Sequence, residues 1–280
     1  MWLCATQDIM IEKHVNIPTE DGTMNSFVVY PEEGGPFPLV LFYMDAPGKR
    51  EELHDMARRI AAVGYYLVLP NLYYRRTRDF TLVRDESGMA GMFQLMDHLT
   101  NGLVVRDTAA MLRFADAQPQ ADASRVGAVG YCMSGPFVMA AAAAFPERIQ
   151  GIAAIHGANM VTERDDSAHL MAPQIRCETY IACAEMDKWA PPQTIATLEL
   201  ALQAAGTPHR VEWYPGTQHG FVFPQRAGVY DQPSAERHWE RLFALFRRAL
   251  HAPGRNGAGE YSTQQSSTTS PSGREQQAST

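Results

Sequence analysis

The chain has 280 residues, of which 45% are hydrophobic and 20% charged, and this composition is ordinary for a globular protein. Its net charge of −7 argues against nucleic acid as a partner, and the absence of any long apolar stretch or secretory signal pattern argues against a membrane partner and secretion. Its four cysteines (Cys4, Cys132, Cys177 and Cys183) lack CxxC or metal-binding spacing, which predicts reduced thiols and a cytoplasmic location.

The first half of the chain predicts a hairpin followed by alternating strands and helices. The turn signal Glu20-Asp21-Gly22 separates the two strands of the hairpin, and Gly64 is placed to end the first helix. The predicted elements are strands over 10–18, 24–31, 38–44 and 65–69, and helices over 50–63, 89–99 and 103–117.

The second half continues the alternation, with strands over 126–129, 149–155, 178–184 and 210–214, and helices over 137–145, 193–205 and 234–250. Ser234 is the predicted N-cap of the last helix. We therefore predict an α/β fold, a mostly parallel sheet with helices on both faces and an antiparallel N-terminal edge. This single domain would span residues 1–251. The Gly-, Ser-, Thr- and Gln-rich residues 252–280 predict a disordered tail.

The stretch Val126–Pro136 has the pattern of a nucleophile elbow, a sharp turn between a strand and a helix. Such a turn needs small residues two positions either side of the nucleophile, because the two backbones pass close together. With Cys132 as nucleophile these positions hold Gly130 and Ser134, whereas with Ser134 as nucleophile one of them would hold proline, which fits badly. We therefore predict Cys132 as the nucleophile, against the alternative of a buried structural cysteine.

An elbow nucleophile needs a base and a carboxylate that orients the base. Asp187 and His219 each follow a predicted strand, so both lie with Cys132 at the carboxyl edge of the sheet, where open α/β sheets place their sites. The order nucleophile, acid, histidine is that of the α/β-hydrolase fold. Glu185 stays open as a rival acid and His156 as a rival base, although His156 breaks the expected order.

Five segments match one known family: Arg58–Tyr65, Leu69–Arg75, Gly130–Gly135, Asp187–Pro192 and His219–Phe221. On these segments, and from about residue 10 to residue 250, the chain resembles the dienelactone hydrolase (carboxymethylenebutenolidase) family of α/β-hydrolases. A cysteine in the elbow is specific, because serine is usual across the wider fold. The resemblance implies that Cys132 is the nucleophile, His219 the base and Asp187 its orienter, and it implies no metal or cofactor.

The resemblance also implies roles around the triad. Asp45 occupies the position of an acidic residue that holds the resting thiol, where a carboxylate disfavours thiolate. The backbone N–H groups of Met133 and Ala46 would form the oxyanion hole. Arg75 matches an arginine that binds a substrate carboxylate, whereas a second family arginine is replaced by Phe223. The other predicted pocket residues are aromatic: Tyr73, Tyr74, Phe80, Trp189, Phe221 and Phe223.

These residues predict a cysteine hydrolase that acts on a small-molecule carboxylic ester or lactone through an acyl-thioester. The same triad would also suit other acyl substrates, such as thioesters or aromatic esters, since pocket loops and not the fold set the substrate. The alternative from another class is a non-catalytic α/β-hydrolase-fold binding protein. We expect a monomer or homodimer, and we predict that residues 72–99 wall the pocket.

Overall fold

The computed structural model describes residues 10–251, and these are built around one eight-stranded sheet. Its strands are β1 Met10–Thr19, β2 Gly22–Pro31, β3 Phe37–Tyr43, β4 Tyr66–Pro70, β5 Ala121–Tyr131, β6 Ile149–Ile155, β7 Glu178–Met186 and β8 His209–Gln218. They lie in the order β1-β2-β4-β3-β5-β6-β7-β8. The β1–β2 and β2–β4 pairs are antiparallel and all later pairs are parallel, so the predicted sheet with an antiparallel edge is confirmed.

Helices cover both faces of this sheet. They are α1 Glu51–Ala61, α2 Glu86–Asp97, α3 Asn101–Asp116, α4 Gly135–Ala144, α5 Pro192–Ala204 and α6 Gln232–Leu250. Helix α6 packs closely on Gly127 of β5, and α4 packs on Gly130 of the same strand. Since side chains three positions apart on a strand point to opposite faces, α6 and α4 lie on opposite sides of the sheet.

The central strands are nearly continuous apolar runs because both of their faces are covered. Strand β4 is buried at every residue, and β6 is buried at all but one. Helix α2 differs from the others because Met92 is its single buried residue. It therefore contributes only this one side chain to the buried core.

Several details differ from the predictions or fall outside the described residues, and element bounds such as the start of β5 at Ala121 are among them. The prediction of Ser234 as N-cap is wrong, because the side chain of Asp231 caps α6 and accepts the Ser234 N–H at 3.0 Å. Strand β8 continues past the predicted end at Tyr214 to Gln218, which pairs with Met186. The predicted tail over 252–280 and Cys4 lie outside the described residues.

Among residues 10–251, no helix combines the length and apolar character needed to cross a membrane.

Candidate active site

The elbow brings Cys132 to the carboxyl edge of the sheet in a strained conformation. Its φ of 57° lies in the left-handed region, which a non-glycine residue rarely adopts outside tight turns and functional sites. The turn is tight enough that a Cβ on Gly130 would lie 2.4 Å from the Ser134 carbonyl oxygen, and a Cβ on Gly135 would lie 2.6 Å from the Gly157 Cα. Gly130 and Gly135 therefore make this turn possible, because any larger residue at either position would clash with the backbone.

Hydrogen bonds tie the loop after β3 to this elbow. The Ser134 hydroxyl donates to the Met44 carbonyl at 2.5 Å, and the Tyr73 hydroxyl donates to the Ala46 carbonyl at 2.8 Å. These bonds hold the Ala46 peptide beside Cys132, with which Ala46 lines a common cavity. Met133 follows Cys132 at the start of the elbow turn. Of the two predicted oxyanion-hole residues, Met133 is therefore the chain neighbour of Cys132 and Ala46 lines the same cavity.

The structure brings His219 and Asp187 together at the ends of β8 and β7. His219 Nδ1 lies 2.7 Å from Asp187 Oδ2, while Asp187 Oδ1 accepts the Trp189 N–H at 2.9 Å. His219 also lines the cavity that Cys132 lines. The rival acid Glu185 instead accepts the Gly216 N–H at 2.7 Å, so it joins β7 to the turn in β8. Of the two carboxylates, only Asp187 contacts the histidine.

The electrostatic surroundings of His219 favour its charged form. Burial disfavours a charged ring, but the hydrogen bond to Asp187 and the neighbouring Cys132 outweigh it, so the pKa of His219 is raised from 6.5 to about 9. Its Nε2 atom is buried and has no hydrogen-bond partner among the described residues. The surroundings of His219 therefore favour the protonated ring.

His156, the rival base, lies behind His219 and not beside a carboxylate. Its ring centroid is 4.7 Å from that of His219, in an edge-on arrangement, and Tyr131, Phe221 and Phe223 surround it at 5.5–6.0 Å. Burial lowers the pKa of His156 well below 6.5, and the neighbouring His219 and Arg226 lower it further. His156 is therefore a neutral packing partner of His219.

Asp45 is fully buried, and its partners are arginines. Arg50 donates to Oδ1 at 2.5 Å and Arg226 donates to Oδ2 at 3.0 Å. Glu52 also binds Arg50, and its other oxygen accepts the Gln225 N–H at 2.8 Å. No hydrogen bond joins Asp45 to Cys132 in the described part of the chain, which differs from the expected contact with the resting thiol. The physical reason is that two partly buried guanidinium groups, those of Arg50 and Arg226, already bind this carboxylate.

Arg226 is a site residue that the sequence analysis missed. It lines the cavity beside Cys132 and His219, and its guanidinium lies 4.5 Å from the Phe223 ring centroid. It also packs under Gly220, where a Cβ would come within 2.1 Å of its Nη1. Gly220, next to His219, has a φ of 91°. A glycine at this position is the one sign in the local sequence that another side chain, here that of Arg226, packs closely against the turn.

The cavity at Cys132 has a volume of about 180 Å³ and a mainly apolar wall. Residues 72–99 form much of this wall, as predicted, and α2 contributes three methionines and a phenylalanine to it. The apolar side chains are Leu82, Met89, Met92, Phe93, Met96 and Trp189. Arg84 and Arg226 are its cationic members. Trp189 is thus the one predicted aromatic contact that lines the cavity.

The structure places the other predicted substrate contacts elsewhere. Arg75 forms a two-pronged ion pair with Asp107, at 2.7 and 2.9 Å, and a third bond with Asp21 at 2.8 Å, so its guanidinium is already occupied. The remaining predicted aromatic contacts do not line the cavity because each side chain packs against or hydrogen-bonds to another part of the protein. Tyr73 supports Ala46, Tyr74 donates to Asp107, Phe221 packs on Tyr214, Phe223 packs under Arg50 and Arg226, and Phe80 lies over Gly48.

Comparison with known proteins agrees with this arrangement. The model of the dienelactone hydrolase family matches residues 24–250, which include the elbow, Asp187 and His219. The chain belongs to the dienelactone hydrolase family. It is accordingly a hydrolase of the ester and lactone class.

Individual relatives are similar over most of their length. A protein of Methylorubrum extorquens, named provisionally as a carboxymethylenebutenolidase, is 29% identical over 85% of this chain and 81% of its own. A Synechocystis protein with the same provisional name is 24% identical over 84% of this chain and 96% of its own. A provisional dienelactone hydrolase structure from Klebsiella pneumoniae superposes with a TM-score of 0.78 at 25% identity, covering 86% of this chain and 99% of that one.

Proposed function

We propose that this chain is a cysteine hydrolase that cleaves a small carboxylic ester or lactone through an acyl-thioester on Cys132. One observation carries the proposal: Cys132, strained at the elbow, lines the same cavity as a histidine whose Nδ1 is 2.7 Å from Asp187. This arrangement supplies a nucleophile, a base and an orienting carboxylate in one place. Family membership supports the ester and lactone class of substrate.

In the acylation step, the Cys132 thiolate attacks the carbonyl carbon and forms the carbon–sulfur bond. The N–H groups of Met133 and Ala46 stabilise the negative carbonyl oxygen of the tetrahedral intermediate. Protonated His219 donates its proton to the leaving alcohol oxygen as the carbon–oxygen bond breaks. A histidine with a pKa of about 9 is protonated at neutral pH and holds this proton ready. In a lactone, the alcohol remains part of the released hydroxy acid.

In the deacylation step, the acyl-thioester no longer carries a negative sulfur. Part of what raises the pKa of His219 is thereby lost, while burial continues to disfavour the charged ring. The now neutral His219 takes a proton from water, and the hydroxide attacks the thioester carbon. Collapse of the second intermediate releases the acid and restores the thiolate, with the proton on His219. Asp187 holds the ring in position through both steps.

Cavity size and lining restrict the group that fits beside Cys132. A dry apolar cavity of about 150 Å³ accommodates benzene in a well-studied case, so about 180 Å³ suits a group of ring size. Three methionines on α2 give the wall an adaptable surface. Aromatic and medium-length aliphatic acyl groups therefore fit this cavity better than large polar ones.

The test is hydrolysis of p-nitrophenyl acetate, p-nitrophenyl butyrate, dihydrocoumarin and a dienelactone by wild type and Cys132→Ala. We expect turnover by wild type and its loss in Cys132→Ala. Cys177→Ala removes another buried free cysteine and serves as the matched control with retained activity. Full turnover by Cys132→Ala would refute the nucleophile assignment, and binding of these compounds without turnover would favour a non-catalytic protein.

A further inference from the structure

Strand β8 forms one end of the sheet, and its outer side has no strand neighbour in the described part of the chain. On its inner side, the Thr179 N–H of β7 donates to the Pro208 carbonyl at 2.8 Å. Backbone groups alternate along a strand, so those of His209, Val211 and Trp213 face outward. Such a row of unpaired N–H and C=O groups is a template on which another strand can pair.

The two ends of the sheet differ in how well they would accept a further strand. Strand β1, at the opposite end, carries three consecutive exposed polar side chains, Glu12, Lys13 and His14. Charged side chains on an edge strand oppose the addition of another strand. Strand β8 instead has the half-buried Val211 in its middle and the exposed Trp213 two residues later. The β8 edge is therefore the better template.

Apolar surface continues from β8 onto helix α5. Trp213 lines a groove of about 410 Å³ together with Ile195 and Ala196 of α5. Leu200 lies one helical turn after Ala196 on the same side of the helix, and it is 66% exposed. The β8 edge is thus bordered on one face of the sheet by an exposed apolar strip.

We propose that the β8 edge pairs with the β8 edge of a second copy of this chain, in an antiparallel register centred on Val211. The chain would then be a homodimer in which the two sheets are continuous. This inference concerns assembly and does not depend on the proposed function. Its occupant is a second copy because the strand is complementary to itself in this register.

Self-complementarity is clearest in the charges around Val211. In this register Arg210 lies opposite Glu212 of the second copy, and residues in such a pair have Cα atoms about 4.5 Å apart. Opposite charges in this position stabilise a sheet. Arg210 already reaches Glu212 of its own chain at 3.2 Å, while Arg237 and Arg241 hold that carboxylate from α6. Registers centred on Arg210 or on Glu212 would instead set like charges directly opposite each other, which is destabilising.

The backbone groups also match in this register. Val211 faces Val211 of the second copy in a hydrogen-bonded pair, and His209 faces Trp213 in two further pairs of the same kind. All outward N–H groups of these three residues thereby find carbonyl acceptors. The pairing ends at Pro215, which has no N–H to donate.

Helix α5 would add an apolar contact at the centre of the dimer. It runs back along the sheet from the end of β7 to the start of β8, so it is antiparallel to both strands. From Ala196 to Leu200 the helix advances about 6 Å, and from Trp213 back to Val211 the strand covers about 6.6 Å. Since Ala196 and Trp213 line one groove, Leu200 lies near the level of Val211 and faces Leu200 of the second copy.

The first experiment is sedimentation velocity of the full chain over a range of micromolar concentrations, for wild type and three variants. Val211→Pro removes an outward N–H, which an edge strand tolerates in the monomer. Leu200→Glu places a charge at the centre of the interface without changing β8. Val63→Glu, at a similarly exposed apolar residue in the loop between α1 and β4, is the matched control. Far-UV circular dichroism checks that each variant is folded.

We expect wild type and Val63→Glu to sediment with twice the mass of one chain. Val211→Pro and Leu200→Glu should each raise the Kd of the dimer by about tenfold or more, because each loses a pairing hydrogen bond or buries a charge. If Val211→Pro does not fold, Leu200→Glu decides the question alone.

A second experiment tests the register. Val211→Cys is made together with Cys4→Ser and Cys132→Ala, which leaves only buried cysteines besides the new one. A hydrogen-bonded antiparallel pair has Cα atoms about 5.5 Å apart, within the range of a disulfide. Mild oxidation should therefore link two chains through Val211→Cys, whereas Val63→Cys in the same background should stay unlinked.

Wild type that sediments as a single chain at every concentration would overturn the inference. A dimer that persists unchanged in both Val211→Pro and Leu200→Glu would also overturn it, because the interface would then lie elsewhere. A dimer whose Val211→Cys variant does not cross-link would refute the register centred on Val211.

Discussion

The raised pKa of His219 leads to a prediction about the effect of its neighbour Cys132. In the structure the pKa of His219 is raised from 6.5 to about 9 against the effect of burial, by Asp187 and by Cys132. By the relation of about 1.4 kcal/mol per pKa unit, this difference corresponds to roughly 3 kcal/mol in favour of the protonated ring. Cys132 is one of the two neighbours that raise this pKa. Removing it should therefore lower the pKa.

The perturbation is Cys132→Ala, and the assay is an NMR titration of the ring carbon and proton signals of His219. We expect the His219 pKa to fall by at least about one unit, or about 1.4 kcal/mol, because Asp187 remains while the sulfur is gone. Cys177→Ala, which removes a buried cysteine of the core, should leave the pKa at its wild-type value. An unchanged His219 pKa in Cys132→Ala would refute the reasoning that a thiolate charges this ring.

Three further predictions concern the acid, the elbow and the buried ion pairs. Asp187→Asn removes the carboxylate that orients His219, and we expect kcat/KM for p-nitrophenyl acetate to fall by about 10³-fold or more; a loss under tenfold would contradict the role. Gly130→Ala should lower the free energy of unfolding in urea by more than about 2 kcal/mol, because the new Cβ would clash with the Ser134 backbone. The control Gly91→Ala places its Cβ in open space on α2 and should leave the free energy of unfolding unchanged or raise it. Asp45→Asn should destabilise the fold by about 2 kcal/mol or more by the same measurement, because it removes the ion-pair partner of the partly buried Arg226 and one of the two partners of Arg50. It should not accelerate iodoacetamide labelling of the active-site thiol, and faster labelling would show that Asp45 holds that thiol.

The proximity of Cys132, Asp187 and His219 could be predicted because its signals are local and its geometry follows from strand direction. Gly130 and Ser134 mark the tight turn at Cys132 in the sequence itself. Asp187 and His219 each follow a strand, and parallel strands bring their carboxyl ends to one edge. No long-range information was needed to place these side chains near one another.

Long-range ion pairs explain what could not be predicted. Arg226 meets Asp45 from 181 residues away, and no sequence pattern connects a loop arginine with a turn so distant. The partner of Arg75 lies 32 residues downstream on α3, so the sequence does not show that its guanidinium is already occupied. The Phe223 ring is buried beneath the guanidinium groups of Arg50 and Arg226. Its place in the sequence, near a predicted site residue, does not show whether the ring faces the cavity or the core.

Element boundaries show the same limit on a smaller scale. The polar start of β5, Ala121 to Arg125, has no apolar pattern, yet its first residues pair with Phe37 and Pro38 of β3. Likewise the end of β8 pairs with Met186 beyond the turn signal Pro215-Gly216. In both places, pairing with the neighbouring strand, and not the local sequence, decides where the strand begins or ends.

The most direct test of the central claim is to identify the acylated residue. Wild-type enzyme is mixed with a p-nitrophenyl ester, quenched in acid within the first turnover, digested and examined by mass spectrometry. We expect the acyl mass on the peptide that contains Cys132, labile to hydroxylamine as a thioester, and no such adduct in Cys132→Ala. An acyl group on another residue, with turnover retained in Cys132→Ala, would contradict the account.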